Sequence, residues 1–94
     1  MSARYLLPPD VVFTDLSGAD GREGILLNVA TRRYYSLNET GLAIYERLMA
    51  GDRAAQIAEH LTAGYEINIE SATRSVAGLL AALTSAGLIR EESP

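Results

Sequence analysis

The chain has 94 residues, of which 48% are hydrophobic and 21% charged, a composition typical of one small globular domain. It contains no cysteine and a single histidine, which excludes disulfide bonds and thiolate metal sites and argues against an imidazole-based site. The net charge is -4 and the eight basic residues, all arginine, are scattered, whereas nucleic-acid binders normally cluster basic charge on one face.

Three short strands are predicted before residue 38. Residues 11–14, 25–29 and 33–37 are rich in strand-forming side chains. Residues 17–21, with two glycines and an aspartate, are predicted to form a flexible loop. The turn at 30–32 is short, so the second and third strands are predicted to form a hairpin.

Three helices are predicted after the strands. Asn38 and Asn68 are predicted to cap the first and third, and Asp52 the second, because their side-chain oxygens can accept from free amides of the first turn. Glycines are predicted to end the helices, since glycine adopts the left-handed C-cap conformation at little cost. These glycines are Gly51, Gly64 and Gly87. Residues 90–94 are expected to be a frayed polar tail.

The predicted architecture is α+β, with a three-stranded antiparallel sheet followed by three helices. It is expected to form one domain over residues 1–94, with its core at about 11–89. No stretch is apolar enough for a membrane span or a secretory signal, so a cytoplasmic protein is expected.

Candidate catalytic residues are few. His60 lies between Glu59 and Leu61 on the second predicted helix and is interpreted as a surface residue. No serine lies in a Gly-x-Ser-x-Gly motif, and the glycines of residues 18–24 lack the helix and lysine of a phosphate-binding loop. We therefore expect no catalytic residue, no metal site and no cofactor.

Peptide binding is favoured by the third strand and the third helix. No strand follows the third, so it could lie at a sheet edge and accept an added strand. Small residues lie to one side of the helix's apolar stripe, where they could leave a groove. They are Thr73, Ala77, Ala81 and Thr84. The alternatives are an edge protected by Arg32 and Arg33 or by a dimer partner, and close helix packing within the domain.

The segment at 24–41, which ends in Leu37-Asn38-Glu39-Thr40-Gly41, together with Leu79-Leu80, Leu83 and Gly87-Leu88-Ile89, resembles the PqqD-like family. Members of that family are precursor-recognition elements of ribosomal peptide biosynthesis. The resemblance covers roughly residues 11–89 and implies a winged-helix-like fold. As a short chain without a fused enzyme, it looks most similar to the stand-alone members of lasso-peptide clusters.

The resemblance implies that a leader peptide adds as an antiparallel strand beside the third strand, in a groove against the third helix. It also implies two partner enzymes, a transglutaminase-like cysteine leader peptidase and a cyclase resembling asparagine synthetase. The family pattern places peptide-binding residues on the strand and on the facing helix. These are Arg33, Tyr34, Tyr35, Ser36 and Leu37 on the strand, and Thr73, Val76, Ala77 and Leu80 on the helix. The resemblance implies that Tyr35 and Leu37 point inward and Tyr34 outward, and either tyrosine could line the groove.

Charge adds one expectation and bears on the alternatives. Glu66 and Glu70 could pair with a basic leader residue, and the same carboxylates would repel a phosphate backbone. No nucleic acid and no membrane are therefore expected among the partners. The second hypothesis is a winged-helix regulator that binds DNA or a protein. The third is a module that dimerises through the open strand edge.

Overall fold

The structure is a computed structural model and describes residues 4–92 of the chain. It contains five strands and three helices. In chain order they are β1 (Tyr5–Leu6), β2 (Val11–Asp15), β3 (Gly24–Asn28), β4 (Tyr34–Leu37), α1 (Glu39–Met49), α2 (Ala54–Gly64), α3 (Ile69–Ser85) and β5 (Arg90–Glu91). The predicted fold class is confirmed, because a three-stranded antiparallel sheet precedes three helices.

The sheet has the order β2-β3-β4, and each neighbouring pair is antiparallel. Cross-strand rows alternate between the two faces of the sheet. Phe13, Leu26 and Tyr35 form a row that faces the helices, and the next row, on the opposite face, is exposed. That exposed row consists of Val12, Leu27 and Tyr34.

The hairpin between β3 and β4 is held by Asn28, which is 7% exposed. Its Oδ1 accepts hydrogen bonds from the amides of Ala30 and Thr31, and its Nδ2 donates to the carbonyl of Gly87 at 3.1 Å. One side chain therefore closes the turn and fastens it to the segment after α3. The turn is a bulge, because the Arg32 amide donates to the Asn28 carbonyl while the Asn28 amide donates to that of Arg33.

Arg32 has a φ of 65°, in the left-handed region, where this kind of bulge normally carries glycine. A side chain there costs about 1–2 kcal/mol, so an Arg32→Gly variant is expected to be more stable by about 0.5–1 kcal/mol after glycine's entropy is counted. Urea unfolding of this variant beside Arg32→Ala measures the effect. If both variants were more stable than the parent protein, the increase would come from loss of the arginine side chain. That result would contradict the explanation by backbone conformation.

The helices begin where polar side chains satisfy the free amides of the first turn. As predicted, Asn38 and Asn68 accept from the amides of Gly41 and Ser71, each at 2.8 Å. Gly51 and Gly87, both with positive φ, follow the ends of α1 and α3.

The prediction that Asp52 caps α2 is wrong. Its carboxylate instead accepts from Nε and Nη2 of Arg47, both at 2.7 Å. Both nitrogens contact the same oxygen, Oδ2, and both partners are ionised, whereas a helix amide would offer a neutral donor. Arg53 takes the capping position, and its amide donates to the side chain of Gln56.

The core lies between the inner face of the sheet and the three helices. Its largest fully buried side chains come from β3, β4, all three helices and the segment after α3. They include Leu26, Leu37, Leu42, Ile44, Ile57, Leu61, Val76, Leu83, Leu88 and Ile89. Tyr45 stacks on Phe13 with ring centroids 4.7 Å apart, and burial raises the pKa of its hydroxyl.

The first and last strands of the described residues form a second, two-stranded sheet. β1 pairs antiparallel with β5, and the Glu92 amide donates to the Arg4 carbonyl at 2.7 Å. The expectation of a frayed tail is therefore wrong for residues 90–92, whose backbone is held by this pairing. Residues 93 and 94 lie outside the described part. None of the helices in residues 4–92 has the length and the apolar run that crossing a bilayer requires.

Candidate functional site

The open edge of β4 is the first component of the candidate site. β4 has β3 on one side and no strand on the other within residues 4–92. The bond from the Asn28 amide to the Arg33 carbonyl sets the alternation, so Leu26–Tyr35 and Gly24–Leu37 are the bonded pairs. The N–H and C=O groups of Tyr34 and Ser36 therefore point away from the sheet.

Beside this edge lies a groove between β4 and α3. Two adjoining cavities, of about 250 and 450 Å³, share Tyr35, Asn38, Gly41 and Leu79 among their walls. We call this combined space the groove. Its other lining residues are Glu23, Ser36 and Leu37 in the smaller cavity, and Thr40, Ile44, Ile67, Arg74, Ser75 and Gly78 in the larger one.

The floor of the groove is apolar and its rim is partly polar. Leu37, Gly41 and Ile44 are buried at its base. Leu79 is partly buried, and Tyr35 retains 37% exposure because no described residue covers it. The groove can therefore accept an apolar side chain of another molecule, and burial of the apolar surface would favour its binding.

The strand residues lie mostly as expected. Leu37 is buried and Tyr34 is 64% exposed, while Tyr35 shares the helix-facing side with Leu37 and lines both cavities without being buried. Arg33 lies just before β4, and its Nη1 donates to the Ser85 carbonyl at 3.4 Å. This contact places the start of β4 beside the C-terminal end of α3.

The helix residues expected in the groove are placed differently. Val76 and Leu80 are 1% and 9% exposed, belong to the core and line neither cavity, so the cavity walls give no support to the prediction that they contact a bound peptide. Thr73 and Ala77 are exposed but line neither cavity.

The opposite flank of α3 lines the groove instead. On a helix, Leu79 and Ser75 lie about 60° and 100° to one side of Val76, and Thr73 and Ala77 lie at about the same angles on the other. α2 packs along α3 and decides which flank turns toward β4. The flank chosen by the structure also carries Gly78, where an added Cβ would meet no atom within 4 Å.

Charged residues around the groove are unevenly distributed. Arg74 lines the larger cavity and Glu23 the smaller one. Glu66 and Glu70 are exposed and line neither. The expectation that Glu70 contacts a bound peptide therefore has no support from the cavity walls. Sequence reasoning missed Arg74, because a single arginine on α3 gives no signal of which face of the helix lines a groove.

A third cavity, of about 340 Å³, lies under the loop between β2 and β3 and is bordered by Glu39. The loop is tied to α1 by the ion pair between Arg22 and Glu46 at 2.7 Å. Hydrogen bonds from Ser17 lower the pKa of the exposed Asp15 carboxyl at its start. His60 is exposed, and residues 4–92 hold no cluster of acidic or imidazole side chains arranged for a metal ion.

Comparison with known proteins identifies the architecture. The family model of coenzyme PQQ synthesis protein D (PqqD) matches residues 23–89. A solved structure of lasso peptide synthetase B1 complexed with the leader peptide is 30% identical, with a TM-score of 0.80 over 94% of this chain and 99% of that one. A second, of TbiB1 in complex with the TbiA(beta) leader peptide, is 25% identical, with a TM-score of 0.75 over 94% and 98%.

No curated protein sequence matches the chain significantly. The matched segment begins at the residue before β3 and runs through the groove to the buried residues after α3. It therefore contains both walls of the candidate site. The sequence resemblance is confirmed, and the chain belongs to the PqqD family.

Proposed function

We propose that this protein binds the leader segment of a ribosomally made precursor peptide and acts as a non-catalytic adaptor in lasso-peptide maturation. The observation that carries the proposal is the open edge of β4 next to an unfilled apolar groove. Two solved relatives that share the fold over nearly the whole chain are complexes with leader peptides, which supports the same ligand class here.

The leader would bind first through its backbone. An added strand could exchange up to about four hydrogen bonds with the N–H and C=O groups of Tyr34 and Ser36, each contributing about 0.5–1.5 kcal/mol net. These bonds are nearly independent of side-chain identity. They give a sequence-tolerant base on which side-chain contacts add selectivity.

Specificity would come from side chains that enter the groove. Alternate residues of the added strand point toward Tyr35 and Leu79, where an aromatic or branched aliphatic anchor can cover the buried floor. Backbone pairing combined with one or two such anchors is consistent with dissociation constants between about 1 nM and 1 µM.

The direction of the leader determines what a partner enzyme would meet. In antiparallel addition the leader's N-terminal part lies near Leu37 and its C-terminal part near Tyr34. The core peptide would then emerge beside Arg33 and Ser85, at the C-terminal end of α3. We propose that the protein presents it there to a separate transglutaminase-like cysteine leader peptidase and an asparagine-synthetase-like cyclase, with no cofactor of its own.

Fluorescence polarisation with a labelled synthetic leader tests the proposal. The probe is the leader of the precursor gene nearest to that of this protein, together with a series of peptides N-methylated at one backbone position each. We expect saturable binding at low micromolar concentration or tighter. N-methylation should weaken it at every second position of the paired segment, because alternate amides face β4.

Failure of the folded, monomeric protein to bind the leader would reject the proposed function. It would direct the next binding experiments to DNA and to protein partners. Binding that is insensitive to N-methylation at all positions would reject strand addition and keep only the groove.

A further inference from the structure

Arg74 is the one charged residue among the described residues that line the larger cavity. Its neighbours on the cavity wall include Ile44, Ile67 and Leu79. The ion pairs found within residues 4–92 join Arg22 with Glu46 and Arg47 with Asp52, so Arg74 has no carboxylate partner there. The larger cavity therefore presents a cation without a counter-ion at an otherwise uncharged wall, while Glu23 lies on the wall of the smaller cavity.

A peptide that covers the groove removes water from this guanidinium. Loss of hydration around a cation is costly unless an acceptor replaces the water. A carboxylate is the best replacement, because it matches the guanidinium fork with two parallel hydrogen bonds and opposite charge. A peptide without an acid at this point would leave Arg74 partly desolvated and unpaired.

The position of Arg74 indicates which part of the peptide meets it. The larger cavity is bordered by Tyr35 and by residues that follow β4, namely Asn38, Thr40 and Gly41. The start of β4 lies instead beside Ser85, at the far end of α3. In an antiparallel added strand, the residues near the end of β4 are the N-terminal ones.

We infer that Arg74 is a specificity determinant that selects leader peptides carrying Asp or Glu just N-terminal to the strand-forming residues. The inference rests on the proposed function and adds the charge and the position of one anchor. It opposes the expectation that Glu70 recruits a basic residue. Glu70 lies one helical turn before Arg74 and lines neither cavity, so its negative charge would oppose a peptide carboxylate at Arg74 without contacting the peptide itself.

A charge-swap experiment tests the inference by fluorescence polarisation. The labelled leader is compared with peptides in which each Asp or Glu is changed singly to its amide or to Lys. Arg74→Glu is expected to weaken the unmodified leader about 10- to 100-fold, the range of a charge-assisted hydrogen bond. One of the peptides with Lys in place of an acid, N-terminal to the paired segment, should bind Arg74→Glu more tightly than the unmodified leader does. The Glu70→Gln variant should bind the unmodified leader at least as tightly as the parent protein.

Arg53→Glu is the matched control, because it changes the net charge equally at the exposed start of α2, outside the groove. If Arg74→Glu and Arg53→Glu weaken binding to the same extent, or no single acid-to-amide peptide loses affinity, the inference is overturned while leader binding stands. If the parent protein binds no leader at all, the proposed function fails and the inference fails with it.

Discussion

A Leu79→Glu variant is expected to bind the leader peptide about 30-fold or more weakly than the parent protein while remaining folded. Leu79 lines both cavities and is only partly buried, so the free protein can accommodate the carboxylate. In the complex the peptide would cover this charge without neutralising it, at a cost of about 2 kcal/mol or more. Fluorescence polarisation with the labelled leader measures the loss.

Ala77→Glu is the matched control for Leu79→Glu. Ala77 lies on the same helix and is exposed, but on the flank that lines neither cavity. Its variant should bind within about twofold of the parent protein, since isolated surface changes have small effects. Equal losses in the two variants, with both shown to be folded by circular dichroism, would contradict the placement of the groove.

Val76→Glu is unsuitable for this purpose. Val76 is 1% exposed in the core, so a glutamate there would be buried without a partner and would unfold the protein before it tested binding. Leu80 is nearly as well buried, and the same argument applies to it.

Asn28→Ala is expected to lower the free energy of unfolding by about 3 kcal/mol. The substitution removes an acceptor from the Ala30 and Thr31 amides, at 2.9 and 3.1 Å, and a donor from the Gly87 carbonyl. These backbone groups then lack partners at a partly buried junction between the hairpin and the end of α3. Urea denaturation, with the midpoint and slope compared between variant and parent, measures the effect.

Asn28→Asp separates the two roles of this side chain. It keeps the oxygen that closes the turn and replaces the donor to Gly87 with a carboxylate oxygen. Because that oxygen would face the Gly87 carbonyl, we expect a substantial decrease in the free energy of unfolding. This decrease would arise from the contact with Gly87 alone, since the turn keeps its acceptor. A Thr31→Ala variant at the exposed turn serves as control. If it lowered the free energy of unfolding as much as Asn28→Ala does, the turn and not the contact with Gly87 would account for most of the effect.

The stability of this junction matters for binding because it positions the open strand. Asn28 joins the hairpin to Gly87, and Arg33 joins it to Ser85. Both contacts hold the start of β4 against the C-terminal end of α3. Since the groove is the space between these two elements, loosening either contact would change its width, and the leader would have to supply the ordering free energy.

Local sequence signals were sufficient for the order of elements. Asn38 and Asn68 mark the starts of α1 and α3. As predicted, each side chain accepts a hydrogen bond from an amide of the helix's first turn. The strand-forming runs before residue 38 and the apolar stripes after it required only neighbours a few residues apart. The sequence raised the edge position of β4 as one alternative, and the structure decides it, because the later strand β5 pairs with β1 and not with β4.

Contacts between different structural elements could not be predicted from such local signals. Asp52 has the side chain of a helix cap, but its carboxylate is held by the Arg47 guanidinium. The polar residues 90–92 resemble a frayed end, yet residues 90 and 91 pair with β1 and the Glu92 amide donates to the Arg4 carbonyl. The role of Asn28 depends on Gly87, 59 positions further along the chain.

The residue pattern alone predicts the α+β class, the resemblance to the PqqD-like family and the small residues along α3. The flank of α3 that faces β4 cannot be read from this pattern, because Thr73 and Ala77 mirror Ser75 and Leu79 about the same apolar stripe. Packing of α2 against α3 breaks that symmetry. It assigns Leu79, Gly78 and Arg74 to the groove and returns Val76 to the core.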